Sequence, residues 1–225
     1  MAELWLFRHP VSIWNKEGRL QGQCRDEPGL APEGMKQAER VAIFLRKLKL
    51  CGIWTSPLNR TMQFAQIINS YQPTLTVIHP EADLMEWTNG EADGLTINEV
   101  KARFPEGWAR WEKRIPNDKL FPKGETMEEV ECRGKRAVQK IVRYVTKSKL
   151  YPHYDGIAIG ISHGALLSFT LASLQGISIR HAFDLIPQDN GCVNKLRING
   201  TRVKVKATNI TSHLEDLRYT PDLAI

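Results

Sequence analysis

The chain has 225 residues, of which 42% are hydrophobic and 25% charged, proportions that exclude a disordered, collagenous or disulfide-dominated polypeptide. Its length fits one ordinary domain, or a core domain with a sizeable insertion. The 31 basic residues exceed the 25 acidic ones, for a formal net charge of +6; this favours an anionic partner without choosing among a phosphometabolite, an acidic surface and a nucleic acid.

In chain order, Leu4-Trp5-Leu6-Phe7 is a short apolar run of the kind that fills a buried parallel strand. From Pro32 to Lys49, Met35, Ala38, Val41, Ala42, Leu45 and Leu48 fall on one helical face. Gly52 to Thr55 reads as a second strand. Ser56-Pro57 offers an N-cap and a first-turn proline, which predicts a helix from there to about Ser70. Thr76-Val77-Ile78 reads as a third strand. Thr96 with Glu99, and Thr126 with Glu129, have capping-box spacing. An amphipathic stripe then runs from Met127 through Val130, Ala137, Val138, Ile141 and Val142 to Val145.

Gly156 to Ile161 is the strongest strand signal and Gly164 to Leu174 the helix after it. The apolar stretch from Ile157 to Leu174 has the length of a membrane span, but it carries Ser162, His163, Gly164 and Ser168 and switches from strand to helix patterning, so a buried strand and helix explain it better. Val193 to Ile198 and Arg202 to Val205 flank Asn199-Gly200, a hairpin signal; Lys195, Arg197, Lys204 and Lys206 there read as charges protecting an edge strand. The alternation predicts an α/β fold: a three-layer α/β/α sandwich with a mainly parallel sheet, forming one domain over residues 1–225, with an insertion at about 85–122 over one end of the sheet.

Cys24, Cys51, Cys132 and Cys192 form no CxxC pair and have no histidine at ligand spacing, so they read as free or buried thiols, with no metal site and a reducing, cytoplasmic setting. The segment Met1-Ala2-Glu3-Leu4-Trp5 lacks the basic and apolar regions of a secretory signal.

Ligands of open α/β sheets sit beyond the carboxyl ends of the strands. Three such exits carry Arg8-His9, Thr55-Ser56 with Arg60 one turn on, and Ser162-His163-Gly164. Two arginines, two histidines and helix N-termini converging on one point suit a phosphoryl group: guanidinium forks match its oxygens, and one histidine attacks phosphorus while the other stabilises the equatorial oxygens. A competing pattern lies at the last exit. Gly160-Ile161-Ser162-His163-Gly164 satisfies the nucleophile elbow of serine hydrolases, with Asp184 or Asp189 and then His213 completing the expected order. It leaves Arg8, His9, Arg60 and Glu86 unexplained.

These residues resemble the histidine phosphatase superfamily, also called phosphoglycerate mutase-like. Its opening signature, RHGxTxxN after an apolar strand, is matched by Leu6 to Asn15. The resemblance continues through Gly18-Arg19-Leu20-Gln21-Gly22, Asp26 to Gln37, Thr55 to Thr61, Leu84-Met85-Glu86 and Gly94-Leu95-Thr96. Pro122-Lys123-Gly124-Glu125-Thr126 and Ser162-His163-Gly164 complete it, over roughly residues 4 to 215. The resemblance implies a phosphoglycerate mutase-like fold, His9 as the nucleophile that becomes phosphohistidine, and Glu86 as general acid. It implies Arg8, Arg60 and His163 around the phosphate, with Asn15, Ser12 and Gln21 bordering it, and no cofactor. Two positions depart from the family pattern: Pro10 stands where it has Gly, and Ser12 where it has Thr. Proline removes one amide donor and stiffens the loop.

Family mutases carry a longer insertion with additional arginines between the acid and the second histidine motif. Glu86 to Gly124 is short and Phe121 to Thr126 looks like the phosphatase branch, so hydrolysis of a small phosphorylated metabolite is expected over phosphoglycerate mutase-type transfer or a non-catalytic phosphoryl-binding role. The expected partners are a small phosphorylated substrate and a second copy of the chain as a homodimer, with no nucleic acid and no membrane. Trp87, Trp108, Trp111, Arg110, Lys113 and Arg114 fall in the segment expected to cover the pocket; sugar phosphates, phosphoamino acids, phosphoglycerates and a nucleotide are not ranked by these residues.

Overall fold

The computed structural model describes residues 2–147 and 156–219. Six strands form one sheet in the order β3-β2-β4-β1-β5-β6: β1 (Glu3–Arg8), β2 (Leu50–Thr55), β3 (Ile78–Pro80), β4 (Ile157–Ser162), β5 (Val193–Asn199) and β6 (Arg202–Ile210). The first four are mutually parallel, and β5 and β6 are antiparallel additions at one side.

Alternation along β1 separates the two cores, because successive strand residues point to opposite faces. Trp5 and Phe7 pack on one face with Ile53, Ile159 and Ile161, against α2 (Pro32–Leu45) and α3 (Asn59–Ser70). Leu4 and Leu6 pack on the other with Trp54 and Ala158, against α6 (Met127–Lys147) and α7 (Gly164–Leu174). This is the expected α/β/α sandwich. α7 is buried almost all round, which accounts for its continuous apolar sequence; no helix among the described residues is long and apolar enough to cross a membrane.

Both capping boxes form: Thr96 and Glu99 start α4 (Ile97–Arg103), and Thr126 and Glu129 start α6, each with reciprocal backbone bonds. α4 and α5 (Pro105–Lys113) lie in the 85–122 segment. The short α1 (Ile13–Lys16) and α8 (Ala182–Leu185) complete the α-helices among the described residues.

Three local expectations are corrected. Ser56 does not cap α3, whose first residue is Asn59 and whose N-cap is Leu58 with no side-chain bond; the Ser56 hydroxyl instead meets His163 at 2.8 Å. The third strand covers Ile78–Pro80 and not Thr76 to Ile78, because Thr76 is tied at both its N–H and its carbonyl to the Asn69 side chain. The hairpin loop is Gly200-Thr201, with Asn199 paired to Arg202 and Gly200 at φ 59°, so glycine occupies the first loop position. The basic hairpin is the sheet edge, and Arg202, Lys204 and Lys206 are exposed along it.

Candidate active site

Strand register brings the three exits together. Arg8 pairs with Ser162 and Thr55 with Ile161 across adjacent parallel strands, so His9, His163 and Ser56 leave the same edge of the sheet side by side. Beyond that edge lies a cavity of about 310 Å³, lined at the strand ends by Arg8, His9, Asn15, Gln21 and Arg60, with Glu86 on the side facing them.

His9 is buried, and its Nδ1 lies 2.7 Å from the Pro10 carbonyl. A carbonyl only accepts, so Nδ1 carries the proton and Nε2 is left with its lone pair. The role of residue 10 in fixing this tautomer is thus played by its carbonyl, which proline retains. The His9 carbonyl in turn accepts from Gly191 N–H (3.2 Å) and Asn190 Nδ2 (3.1 Å), which anchors the turn.

His163 does not line the cavity. It stands beside His9, with ring centroids 5.2 Å apart. Its Nε2 bonds Ser56 Oγ, while its buried Nδ1 has no partner in the protein. If the Ser56 hydroxyl donates to Nε2, the remaining proton is placed on Nδ1 as a free donor. Burial, reinforced by Arg60, pushes the pKa of both histidines well below the ordinary imidazole value; Arg8 adds to this at each ring, and each histidine lies in a field that favours its neutral form.

The two guanidinium groups are buried as well. Arg8 Nη1 donates to the Gln188 carbonyl, and its Nε has no protein partner. Arg60 Nη2 donates to Gly22 O at 3.0 Å, Nη1 faces Glu27 at 3.4 Å without a hydrogen bond, and Nε is unpartnered. Glu27 also accepts from the backbone N–H groups of Arg60 (2.7 Å) and Gly29 (2.7 Å), fixing the start of α3. Gly164 lies against Arg8: a Cβ there would stand 3.3 Å from the guanidinium carbon, so glycine keeps that approach open.

Asn15 and Gln21 reach the cavity, whereas Ser12 does not. Fully buried, the Ser12 hydroxyl lies 2.7 Å from Gln21 Oε1 and 3.0 Å from Asn15 Oδ1, and caps α1. Asn15 Oδ1 is also bonded by Asn190 at 3.2 Å, which leaves the Asn15 amide N–H groups facing the cavity.

Glu86 lies at the N-terminus of α7. Its carboxylate accepts from Ala165 N–H (3.3 Å), Leu166 N–H (3.2 Å) and Trp87 N–H (2.9 Å). The α7 amides expected to face the phosphate are therefore engaged by Glu86, a placement that the helix dipole favours. Holding the Glu86 segment is Arg133 of α6. It forms a two-pronged pair with Glu125 (2.9 and 2.7 Å) and donates to the carbonyls of Met85 (2.6 Å) and Glu86 (3.2 Å).

Arg133, Glu125, Glu27 and Asn190 are thus neighbours of the site given no role in the sequence, and Ser56, named there at a strand exit and as a helix cap, gains His163 as its partner. Arg133 had a signal, being a basic residue at a buried position on the α6 stripe. Ser56, Glu27 and Glu125 lie inside the motif segments, but only three-dimensional contact reveals their partners.

The nucleophile-elbow alternative is not assembled. Ser162 is fully buried and its hydroxyl donates to the Leu84 carbonyl at 2.7 Å. His213 Nε2 binds Gly191 O at 2.9 Å and its ring stacks on Phe44. Asp184 faces Arg114 and Asp189 binds Asn209.

A buried oxyanion pocket with a neutral, lone-pair-bearing histidine defines a phosphoryl-transfer class. The chain belongs to the histidine phosphatase superfamily (branch 1), whose family model matches residues 4–211. It is 29% identical to phosphoserine phosphatase 1 of Hydrogenobacter thermophilus, over all of both chains. To the probable phosphoglycerate mutase GpmB of an Enterobacter species it is 30% identical, over 80% of this chain and 82% of that one. The solved structure of Bacillus stearothermophilus YhfR superposes with a TM-score of 0.82 at 26% identity, covering 95% of this chain and 100% of the other.

Proposed function

We propose that the chain is a phosphomonoesterase that hydrolyses a small phosphorylated metabolite through a phosphohistidine on His9, a histidine acid phosphatase-type reaction. The observation that carries this reading is the group of buried nitrogens without protein partners: Arg8 Nε, Arg60 Nε and Nη1, and His163 Nδ1 beside His9. Unpaired buried donors are costly, and a dianionic phosphoryl group satisfies them.

In the first step, His9 Nε2 attacks phosphorus and the phosphorus–oxygen bond to the alcohol breaks. The leaving oxygen takes its proton from Glu86, while Arg8, Arg60 and Asn15 on the cavity lining hold the equatorial oxygens, joined by His163 Nδ1 from beside the His9 ring. In the second step, Glu86 removes a proton from water, the water oxygen bonds to phosphorus, and the phosphorus–nitrogen bond breaks. His9 recovers its lone pair and inorganic phosphate departs. Ser12 and Gln21 support Asn15. Hydrolysis is preferred over mutase-type transfer because the covering segment supplies no arginine to the cavity lining. The partner is a small phosphorylated substrate, with neither nucleic acid nor membrane, in a cytoplasmic setting; a homodimer is the oligomer to look for.

Incubation with a ³²P-labelled phosphomonoester and rapid acid quench tests this. The expected result is an acid-labile, base-stable label on wild type, absent from His9→Ala, which loses turnover by about 10⁴-fold or more. Unchanged turnover in His9→Ala rejects the mechanism, and phosphoglycerate isomerised faster than hydrolysed rejects the phosphatase assignment.

A further inference from the structure

Above the phosphate floor the cavity is walled by Trp87, Trp108, Trp111, Phe121, Phe183 and Tyr219. Four of the rings around it form a continuous set. Trp87 meets Trp111 at 5.5 Å between centroids, Trp111 meets Phe183 at 5.3 Å, and Phe169 backs both Phe183 (5.1 Å) and Trp87 (5.5 Å). Trp87 and Phe121 are buried, so the half-buried Trp108, Trp111, Phe183 and Tyr219 supply the ring surface that a further ring would meet.

None of the basic residues of the covering segment, Arg110, Lys113 and Arg114 included, lines the cavity, though Lys101 lies 4.8 Å over the Trp108 ring. Arg110 faces Glu106 and Asp118, while Arg114 lies over the Trp111 and Phe183 rings and faces Asp184. At the rim, the two lining cations already hold carboxylates: Lys16 pairs with Glu33, and Arg19 pairs with Glu17 at 2.6 Å and donates to Gly94 O at 2.9 Å. Glu17 itself lines the cavity. Among the described lining residues, Arg8 and Arg60 are the cations that keep buried nitrogens without a hydrogen-bond partner, and both belong to the phosphate floor.

A second anionic group on the substrate would lose its water against aromatic rings, and the cations at the rim, Lys16 and Arg19, are already shared with Glu33 and Glu17. A flat uncharged group would bury its faces against the wall at no such cost. On the basis of the phosphomonoesterase reading, we infer that the substrate is a monophosphate whose alcohol part carries an uncharged aromatic or heteroaromatic ring system, and neither a carboxylate nor a second phosphate. A cavity of about 310 Å³ lies at the small end of the roughly 300–1,000 Å³ range of ligand sites, which suits one phosphoryl group with one such ring system.

The test compares esters with similar alkoxide leaving groups, so that ring binding and not leaving-group reactivity sets the order. Phosphate release by the whole chain is measured from 2-(naphthyl)ethyl phosphate, ethyl phosphate, phosphoserine, 3-phosphoglycerate and fructose 1,6-bisphosphate. The expected kcat/KM for the naphthylethyl ester exceeds that of each other ester by about tenfold or more, the value of one well-packed ring contact. Trp111→Leu is expected to reduce the naphthylethyl-to-ethyl ratio about threefold or more, mainly through KM. Trp108→Arg, which places a cation on the wall, is expected to raise 3-phosphoglycerate relative to the naphthylethyl ester.

The wild-type order decides the matter even where a variant fails to fold. Release that is fastest from phosphoserine, 3-phosphoglycerate or the bisphosphate, with the naphthylethyl ester no better than ethyl phosphate, overturns the substrate inference and leaves the phosphatase reading standing. No release from any ester, together with no label on His9, overturns both.

Discussion

Arg60 and Arg133 are both guanidinium groups set against a carboxylate, yet their hydrogen bonding differs completely. Arg133 is saturated: Nε and Nη2 take both oxygens of Glu125, while Nη1 takes the carbonyls of Met85 and Asp83. Arg60 spends Nη2 on Gly22 O and leaves Nε and Nη1 unpartnered at zero exposure. A saturated guanidinium is a clamp, because nothing remains for it to bind. An unsaturated buried one stores an unmet demand that only a ligand answers. The same contrast separates the two halves of the site. The floor, at the ends of β1, β2 and β4, holds unpartnered donors of Arg8 and Arg60, whereas the cover, the segment around Glu86, is clamped by Arg133 and acts by placement.

The sharpest way to break this comparison is to disable Glu86, the proposed general acid. Glu86→Gln keeps the shape and the bonds to the α7 amides but cannot give up a proton to the alkoxide. Turnover is expected to fall by about 10²–10⁴-fold, most for esters with poor leaving groups and least for aryl phosphates. The slope of log kcat against leaving-group pKa measures it; an equal loss across the series would mean that Glu86 binds and does not protonate.

Arg133→Met tests whether the clamp acts only by placement. It removes the bonds to the Met85 and Glu86 carbonyls and leaves Glu125 unpaired, so stability is expected to drop by roughly 2 kcal/mol, discounted from the fully buried case because Glu125 is partly exposed. Displacing the Glu86 segment costs about 10–100-fold in kcat, with KM for ethyl phosphate much less affected. The discriminating readout is non-additivity: in the Glu86→Gln background the kcat penalty of Arg133→Met should largely vanish. A full additive penalty would assign Arg133 a role apart from the acid.

The floor was far more legible in the sequence than the cover. Its side chains follow strands directly, so apolar runs ending in Arg8-His9 and Ser162-His163 give both the chemistry and the location, and parallel register does the rest. The cover depends on contacts between segments distant in the chain, such as Arg133 with Glu125 and Glu86, which carry no local periodicity. Ser56 shows the limit from the other side. Its Ser-Pro pattern fits a helix cap on local chemistry, but the hydroxyl meets His163, just past the neighbouring strand, at 2.8 Å and accepts the Leu58 N–H just before α3 only at 3.4 Å. Pro10, the clearest departure from the family pattern, keeps the one atom that His9 uses.

Acid titration separates floor from cover with the smallest perturbation. His9 and His163 are held well below the ordinary imidazole value of 6.5, first by burial and then by Arg60. Below that pH the unfolded chain takes up a proton on each and the folded chain does not, so unfolding binds protons and stability falls as pH drops. The slope reaches about 1.4 kcal/mol per pH unit for each histidine. In the cover the sign is the same but the window differs. Asp83 is depressed below 3.8, chiefly by its bond with Arg136 and further by Lys140, so its contribution persists until the pH falls below about 4. Urea unfolding from pH 7 to 5 should therefore show a falling midpoint that is independent of moderate salt, with a second, salt-sensitive loss only below pH 4. His213, also lowered by burial, shifts in the first window, so His163→Gln and His213→Gln are compared: the former should flatten the slope by one histidine's share and change phosphate affinity, the latter only the slope. An unchanged slope in His163→Gln would mean that this histidine is charged in the fold, and the free Nδ1 donor assigned to a neutral ring would have to be withdrawn.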